Sequence, residues 1–118
     1  MSIYVITHKK FNPIVTDTFY KNLLVGVDNG NKGQKDYLRD NTCDNISKKN
    51  SSFCELTGMY WLWKNSKDPI IGIDHYRRYF LKRVFQNKVL EENDVKRILK
   101  KYDIILPKKS YLEGLTVK

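Results

Sequence analysis

Residues 69–80 read PIIGIDHYRRYF, a run that begins apolar and turns without a spacer into charged and aromatic side chains. A short, continuous, β-branched stretch such as residues 70–73 is typical of a strand that is buried on both faces. The polar half, from Asp74 onward, then stands at the carboxyl end of that strand. We therefore predict a central strand of a parallel sheet, with a cluster of polar side chains at its carboxyl end.

The length and composition indicate one globular domain. The chain has 118 residues, of which 41% are apolar and spread over the whole sequence, which suits a single core. Its apolar stretches are too short to span a membrane, and polar Thr7 arrives too early for a signal peptide, so we expect a cytoplasmic protein. Cys43 and Cys54 fit no metal-binding or redox spacing and are interpreted as packing residues.

The formal net charge of +9 invites a nucleic-acid interpretation. Seventeen of the 22 basic residues are lysine, however, and they are scattered along the chain. No nucleic-acid-binding motif accompanies them, so the charge alone does not identify a partner.

The remaining elements alternate between strands and helices. Apolar runs predict strands at residues 3–6, 22–27 and 103–106, whereas residues 34–50 are polar and predict a long loop. A helix is predicted over residues 92–101, with acids in its first turn and lysines in its last. Two helices that each lead into a short apolar strand indicate an α/β fold with an open, mainly parallel, Rossmann-like sheet and flanking helices.

A second helix is predicted over residues 52–65. Ser52 and Glu55 have the spacing of a capping box at its start. The residues at helical spacing, with their neighbours, make the helix apolar nearly all round, which predicts burial on most sides. We therefore assign its large apolar side chains to the core: Leu56, Met59, Tyr60, Trp61 and Trp63.

The carboxyl ends of three predicted strands carry polar residues. Ile6 leads into Thr7, His8 and Lys9; Ile73 leads into residues 74–78; Leu106 leads into Pro107, Lys108 and Lys109. In an open parallel sheet these ends share one edge, where ligands bind. We expect a cationic rim there that suits an anionic ligand.

Four stretches, in this order, resemble successive signatures of an uncharacterised-domain family of bacterial capsular-polysaccharide and lipopolysaccharide biosynthesis proteins: IYVITHKKF, DNISKKNSSFCELTGMYWLWKN, IIGIDHYRRYF and KKYDIILPKK. Members of that family are regarded as glycosyltransferases with a GT-A-like fold. The resemblance implies a nucleotide-sugar donor such as a UDP-sugar and a growing surface glycan as acceptor. It also implies that residues 1–118 are the N-terminal, nucleotide-sugar-binding part of a longer domain, and that the chain alone has little or no turnover.

The sequence departs from the common GT-A pattern at the metal site. Such enzymes often hold Mn²⁺ or Mg²⁺ with an Asp-x-Asp motif, and this sequence has none. Either Asp74 and His75 form a sparser metal site, or Arg77 and Arg78 neutralise the donor's pyrophosphate without metal. Arginine's planar fork suits bidentate phosphate contacts and favours the second option.

The candidate site residues therefore fall into two groups. Asp74 and His75 are predicted catalytic residues, and the predicted donor-binding residues are Thr7, His8, Lys9, Asp44, Asn45, Ser47, Asn50, Tyr76, Arg77 and Arg78. Each also has a plain structural alternative, such as a turn, a helix cap or a solvated charge. Asp44, Asn45, Ser47 and Asn50 lie just before the predicted N-terminus of the helix at 52–65, and a helix N-terminus attracts anions.

The function predicted from the sequence is glycosyl transfer to surface polysaccharide or lipopolysaccharide, at the inner face of the membrane and without a nucleic-acid partner. Two alternatives remain at this point. One is a basic nucleic-acid-binding module in which the aromatics of residues 75–80 stack on bases. The other is a non-catalytic remnant of a transferase that acts as a structural partner.

Overall fold

The computed structural model describes residues 1–13, 18–83 and 88–107. Its centre is a four-stranded parallel sheet in the order β3-β2-β1-β4. The strands are β1 (Ser2–Thr7), β2 (Tyr20–Leu24), β3 (Leu38–Arg39) and β4 (Ile71–His75). The helices are α1 (Asn50–Phe53), α2 (Leu56–Asn65) and α3 (Glu92–Leu99), and a small antiparallel pair consists of β5 (Leu81–Arg83) and β6 (Lys88–Val89).

The sheet is covered on both faces, which confirms the predicted α/β class. Every residue of β1 is buried. Ile3 and Val5 on one face share a core with Val95 of α3, whereas Tyr4 and Ile6 on the other face share a core with Leu62 of α2. The continuous apolar pattern of β1 follows from this double coverage.

Helix α3 was predicted correctly, apart from its last two residues. Its first turn holds Asp94, whose carboxylate accepts a hydrogen bond from the backbone N–H of Glu91 in a capping box. Among the described residues, no helix is long and apolar enough to cross a membrane.

The strand predicted at residues 103–106 is wrong. That segment belongs to neither sheet of the described chain, and Ile104 is 67% exposed. Residues 102–105 instead line a cavity of about 450 Å³ with Met1 and Ile71, at the amino-terminal edge of the sheet. An apolar run of four residues signals burial only weakly, because a strand also needs a partner for its backbone hydrogen bonds.

The strand predicted at residues 70–73 exists, but its predicted central position and double burial are wrong. It is β4, which extends to His75, lies at the edge of the described sheet and buries only Asp74.

Two further boundaries differ from prediction. The strand predicted at 22–27 is β2, which ends at Leu24 because the chain turns at Gly26 with φ of 69°. The long loop predicted at 34–50 contains β3 and a single 3-10 turn, Ser47–Lys49. Asp40 organises this segment: its buried carboxylate accepts hydrogen bonds from the Gly26 and Val27 N–H groups and from Ser47 Oγ.

The helix predicted at 52–65 is divided, and its capping box is wrong. Cys54 has φ of 51° and ψ of −125°, which separates α1 from α2. Glu55 is the N-cap of α2 and makes no side-chain capping hydrogen bond. The pattern of Ser52 and Glu55 assumed a continuous helical start, and the turn at Cys54 removes it.

The predicted burial of α2 is also wrong. Its buried residues are Thr57, Gly58 and Leu62, whereas the larger apolar side chains face outward: Leu56 is 51%, Met59 44% and Trp63 70% exposed. A Cβ on Gly58 would lie 2.8 Å from Val25 Cγ1 and 3.2 Å from Ile6 Cδ1. The sheet face is already filled by its own side chains, so α2 packs against it through small residues.

This close approach makes Gly58→Ala a destabilising substitution. Alanine favours a helix over glycine by about 1 kcal/mol, but the overpacked methyl group should cost more, with a net loss of about 1–2 kcal/mol of unfolding free energy. Urea denaturation, with the exposed Ser52→Ala in α1 as control, measures this difference. An unchanged or higher midpoint for Gly58→Ala would show that the helix and sheet are not this close.

Candidate functional site

The carboxyl ends of β1 and β4 lie side by side, as predicted from the sequence. Ile6 is paired with His75 in the register of the two strands. The Tyr76 N–H donates a hydrogen bond to the Ile6 carbonyl at 3.0 Å, which holds the two strand ends together beyond the last pair. The polar residues that follow each strand therefore meet at one edge of the sheet.

The third strand end of the predicted rim does not join them. Ile105 lies in the cavity at the opposite edge, and Pro107 is exposed. Lys108 and Lys109 fall outside the described residues. The predicted rim is therefore wrong in its third member, because residues 103–106 do not extend the sheet.

A cavity of about 160 Å³ opens at the edge formed by β1 and β4. Four of its lining residues belong to strands or strand ends, and the others come from the turn after β2, the start of α1 and the break between α1 and α2: Ile6, Thr7, His8, Val25, Asn50, Cys54, Glu55 and His75. The N-terminus of α2 therefore borders this cavity, which we call the edge cavity.

His75 is held in a tight turn that fixes its ring. Backbone hydrogen bonds run from the His75 N–H to the Arg78 carbonyl and from the Arg78 N–H to the His75 carbonyl. The Arg77 N–H also donates to His75 Nδ1 at 3.3 Å. With Nδ1 acting as an acceptor, the neutral imidazole carries its proton on Nε2 and can donate a hydrogen bond from there.

Burial lowers the pKa of His75, and nearby charges act in both directions. The Glu55 carboxylate opposes the shift, whereas Arg77 and His8 add to it. Since the ordinary histidine pKa is already near 6.5, His75 is mostly neutral at pH 7. It is a hydrogen-bond donor in a cationic neighbourhood.

Asp74 lies on the opposite face of the sheet from His75. In the register of β4 with β1, Asp74 is paired with Val5 and His75 with Ile6, and successive strand residues face opposite sides. Asp74 is 5% exposed and its Oδ2 has no hydrogen-bond partner. Burial raises its pKa to about 7, against a backbone hydrogen bond from Phe80.

The two predicted catalytic residues are therefore not brought together. Within the part of the chain that the structure describes, no group of three His, Cys, Asp or Glu residues could hold a metal ion. A pair of ligands on opposite faces of a strand does not form one metal site.

Several basic side chains lie around the ring of Tyr76. Its ring centroid lies 4.4 Å from that of His75 and 5.5 Å from that of His8. Lys9 Nζ lies 5.7 Å and Arg77 Cζ 5.4 Å from the same ring. Cations near an aromatic face are attracted to it, so Tyr76 holds Lys9 and Arg77 close to His8 and His75, which line the edge cavity. The Tyr76 ring itself packs against the core on the α3 side of the sheet.

The other predicted donor-binding residues lie in structural positions. Thr7 and Ser47 are buried: Thr7 Oγ1 donates to the Lys9 carbonyl, and Ser47 Oγ donates to Asp40. Asp44 accepts a hydrogen bond from the Tyr60 hydroxyl, and Asn45 Nδ2 donates to the Cys43 carbonyl. None of Asp44, Asn45 and Ser47 lines the edge cavity.

The two remaining predicted donor-binding residues are Asn50 and Arg78. Asn50 lines the edge cavity, and its Nδ2 donates to the Cys54 carbonyl at 2.7 Å and to Thr57 Oγ1 at 2.9 Å. The amide therefore joins α1 to the start of α2. Arg78 is exposed, and its backbone closes the turn that holds His75.

Besides the apolar Ile6 and Val25, two residues of the edge cavity were not among the predicted site residues. Glu55 was assigned to a capping box and Cys54 to packing, yet both line the cavity. The positive φ of Cys54 places them there. A strained non-glycine residue of this kind is often found at functional sites, but cysteine gives no sequence signal for it.

Comparison with known proteins places this geometry in a class. The apo structure of the WbbM bifunctional glycosyltransferase superposes on 70% of this chain with a TM-score of 0.60 and 38% sequence identity. Together with the parallel sheet and its polar carboxyl edge, this likeness defines a glycosyltransferase-like α/β domain. The chain belongs to the family described as Domain of unknown function (DUF4422), whose model matches residues 2–118.

The likeness extends over only a small part of the WbbM chain. The superposed part is 15% of the WbbM chain. No curated protein sequence matches this chain.

Proposed function

We propose that this chain is the nucleotide-sugar-binding part of a glycosyltransferase, and that it holds a donor such as a UDP-sugar at the edge cavity. The observation that carries the proposal is the gathering of His8, Lys9 and Arg77 around Tyr76, beside His75, at the carboxyl edge of two parallel strands. Open α/β sheets bind ligands at this edge. The likeness to part of a glycosyltransferase supports a nucleotide sugar as the ligand.

The donor's diphosphate is the group that this arrangement fits. Lys9, Arg77 and Arg78 supply positive charge, and the Nε2–H of neutral His75 supplies a hydrogen bond. Asn50 and Glu55, on the other wall of the cavity, offer polar contacts for the ribose or the sugar. Thr7 acts by holding the turn that presents His8 and Lys9.

Transfer would follow from stabilising the departing diphosphate. The acceptor hydroxyl forms a bond to the anomeric carbon while the bond from that carbon to the diphosphate oxygen breaks. The electron pair leaves with the nucleoside diphosphate, and the acceptor proton passes to solvent or to a carboxylate base. Positive charge already in place around the leaving group lowers the barrier to this step.

The arrangement favours arginine and lysine over a metal ion as the main source of that charge. Asp74 and His75 face opposite sides of the sheet, so a Mn²⁺ or Mg²⁺ ion bound with the donor would need other ligands. A direct catalytic role for Asp74 requires a substrate group that reaches the α3 side of β4.

The acceptor, the location and the activity of the isolated chain belong to the same proposal. We expect a growing capsular polysaccharide or lipopolysaccharide as acceptor, at the cytoplasmic face of the membrane. Because the likeness covers 15% of the WbbM chain, we expect the 118 residues to bind the donor with little turnover.

Donor binding is tested by isothermal titration of the chain with UDP and UDP-glucose, with and without Mn²⁺. Arg77→Gln should weaken binding about tenfold or more, because a charge-assisted hydrogen bond is worth about 1.5–3 kcal/mol. Arg97→Gln, which removes an exposed arginine of α3, is the matched control and should leave binding unchanged. Equal loss in both variants, or no binding of any nucleotide sugar by the unaltered chain, would contradict the site.

A further inference from the structure

The outer face of α2 is more apolar than the face that packs on the sheet. Thr57, Gly58 and Leu62 face inward, whereas Leu56, Met59 and Trp63, at i, i+3 and i+7, are all exposed. Phe53, just before the break at Cys54, is also 46% exposed. These four side chains, which we call the outer α2 surface, form the kind of apolar group that marks an interaction site.

Lysines stand at both ends of this surface. Residues 48–67 contain four lysines and a single acid, Glu55, which gives a formal charge of 4 − 1 = +3. Lys48 and Lys49 are exposed in the turn before α1, and Lys64 and Lys67 are exposed at the end of α2. Lys64 Nζ lies 3.9 Å from the Trp63 ring centroid. The nearby Asp44 carboxylate accepts a hydrogen bond from the Tyr60 hydroxyl.

We propose that the outer α2 surface binds the headgroup region of an anionic phospholipid bilayer. Tryptophan is enriched at membrane interfaces, where its ring is partly buried and its N–H stays wet. Apolar side chains of a surface helix enter this region while flanking lysines remain among the phosphates. The cationic ends around an apolar centre thus match an anionic lipid surface in both charge and polarity.

This inference rests on the proposed location at a membrane face, and it names the surface through which the protein would bind there. It does not depend on the chemistry of sugar transfer. The break at Cys54 and Glu55 connects the outer α2 surface to the edge cavity. Binding through this surface would bring the cavity close to the bilayer. An acceptor presented at the membrane would then lie within reach of the donor.

The experiment is co-sedimentation of the full chain with vesicles of phosphatidylcholine alone or of equal parts phosphatidylcholine and phosphatidylglycerol. Trp63→Ser should reduce partitioning into the anionic vesicles about tenfold, since burial of a large apolar side chain is lost. Lys64→Gln should reduce it about fivefold at low salt. Ile104→Ser, which removes an exposed apolar side chain at the opposite edge of the sheet, is the matched control and should have no effect.

Because the whole chain is basic, attraction to anionic vesicles by itself does not support the proposal. Anionic-vesicle binding that is equal in the unaltered chain, Trp63→Ser and Ile104→Ser would overturn it, as would the absence of binding. Self-association in the absence of lipid that Trp63→Ser abolishes would assign the surface to a second copy and also overturn it. Titration of Trp63→Ser with UDP separates the two proposals, since a defect in lipid binding should leave nucleotide binding unchanged.

Discussion

Replacing Asp40 by alanine should lower the unfolding free energy by about 3–5 kcal/mol, the largest loss that we expect from one substitution in this chain. The Asp40 carboxylate is completely buried and accepts three hydrogen bonds: from the Gly26 N–H at 2.8 Å, from the Val27 N–H at 3.3 Å and from Ser47 Oγ at 2.7 Å. Alanine would leave all three donors without this acceptor, and two of them belong to the buried residues Gly26 and Ser47. Since domains are stable by only about 5–15 kcal/mol, much of the chain should unfold.

Graded variants make this prediction specific. Ser47→Ala removes one of the three hydrogen bonds and should cost about 1–2 kcal/mol. Asp36→Ala, at an exposed aspartate in the same stretch, should be within about 0.5 kcal/mol of the unaltered chain. Urea denaturation of the three variants measures the series, and a loss below 1 kcal/mol for Asp40→Ala would show that Asp40 does not organise this segment.

Asp40 also links the fold to the edge cavity. The turn at Gly26 that it holds lies directly against Asn50: a Cβ on Gly26 would be 2.5 Å from Asn50 Oδ1. Asn50 in turn fixes the Cys54 carbonyl at the start of α2. The geometry of the cavity wall therefore depends on a carboxylate that does not line it.

Sequence reasoning succeeded where the signal was local. The unbroken β-branched run of β1 predicted a buried parallel strand, and the acids before Val95 predicted the start of α3. The apolar run that enters β4 predicted a parallel strand but not its place, because β4 is an edge strand in which only Asp74 is buried. The rule that ligands meet the carboxyl ends of parallel strands then brought together His8, Lys9 and Tyr76, which the structure shows as neighbours. Their roles in binding stay predictions.

Sequence reasoning failed where a long-range contact decides the outcome. The apolar stripe of α2 is real, but periodicity does not show which surface it meets. The helix packs closely on the sheet through Gly58, so the stripe lies on the exposed side. Likewise, the turn at Cys54 is tied by the Asn50 side chain, and a capping-box pattern ignores such a contact. The segment at 103–106 has strand-like residues but no strand partner among the described residues.

Asp74 should make the chain less stable as the pH rises toward and through neutrality. Its pKa is about 7 in the folded state, raised by burial from the ordinary 3.8, so the folded state holds a proton that the unfolded state releases. The stability associated with this proton is fully present below about pH 4 and is lost as the pH rises from about 4 to 7. The upper limit of the loss is about 4 kcal/mol, from a shift of about three pKa units at 1.36 kcal/mol each.

Asp74→Asn should therefore stabilise the chain at pH 8 and leave it nearly unchanged at pH 4, since an amide does not ionise in its buried position. Urea denaturation at several pH values measures the difference between this variant and the unaltered chain. Asp68, whose pKa is lowered by its hydrogen bond from Tyr4, has the opposite pH dependence, but it is present in both proteins and cancels in the difference. Asp36→Asn, at an exposed site, is the control and should run parallel to the unaltered chain. If Asp74→Asn also runs parallel from pH 4 to 8, the carboxyl at position 74 is not a buried, proton-holding group, and its use in proton transfer loses its physical basis.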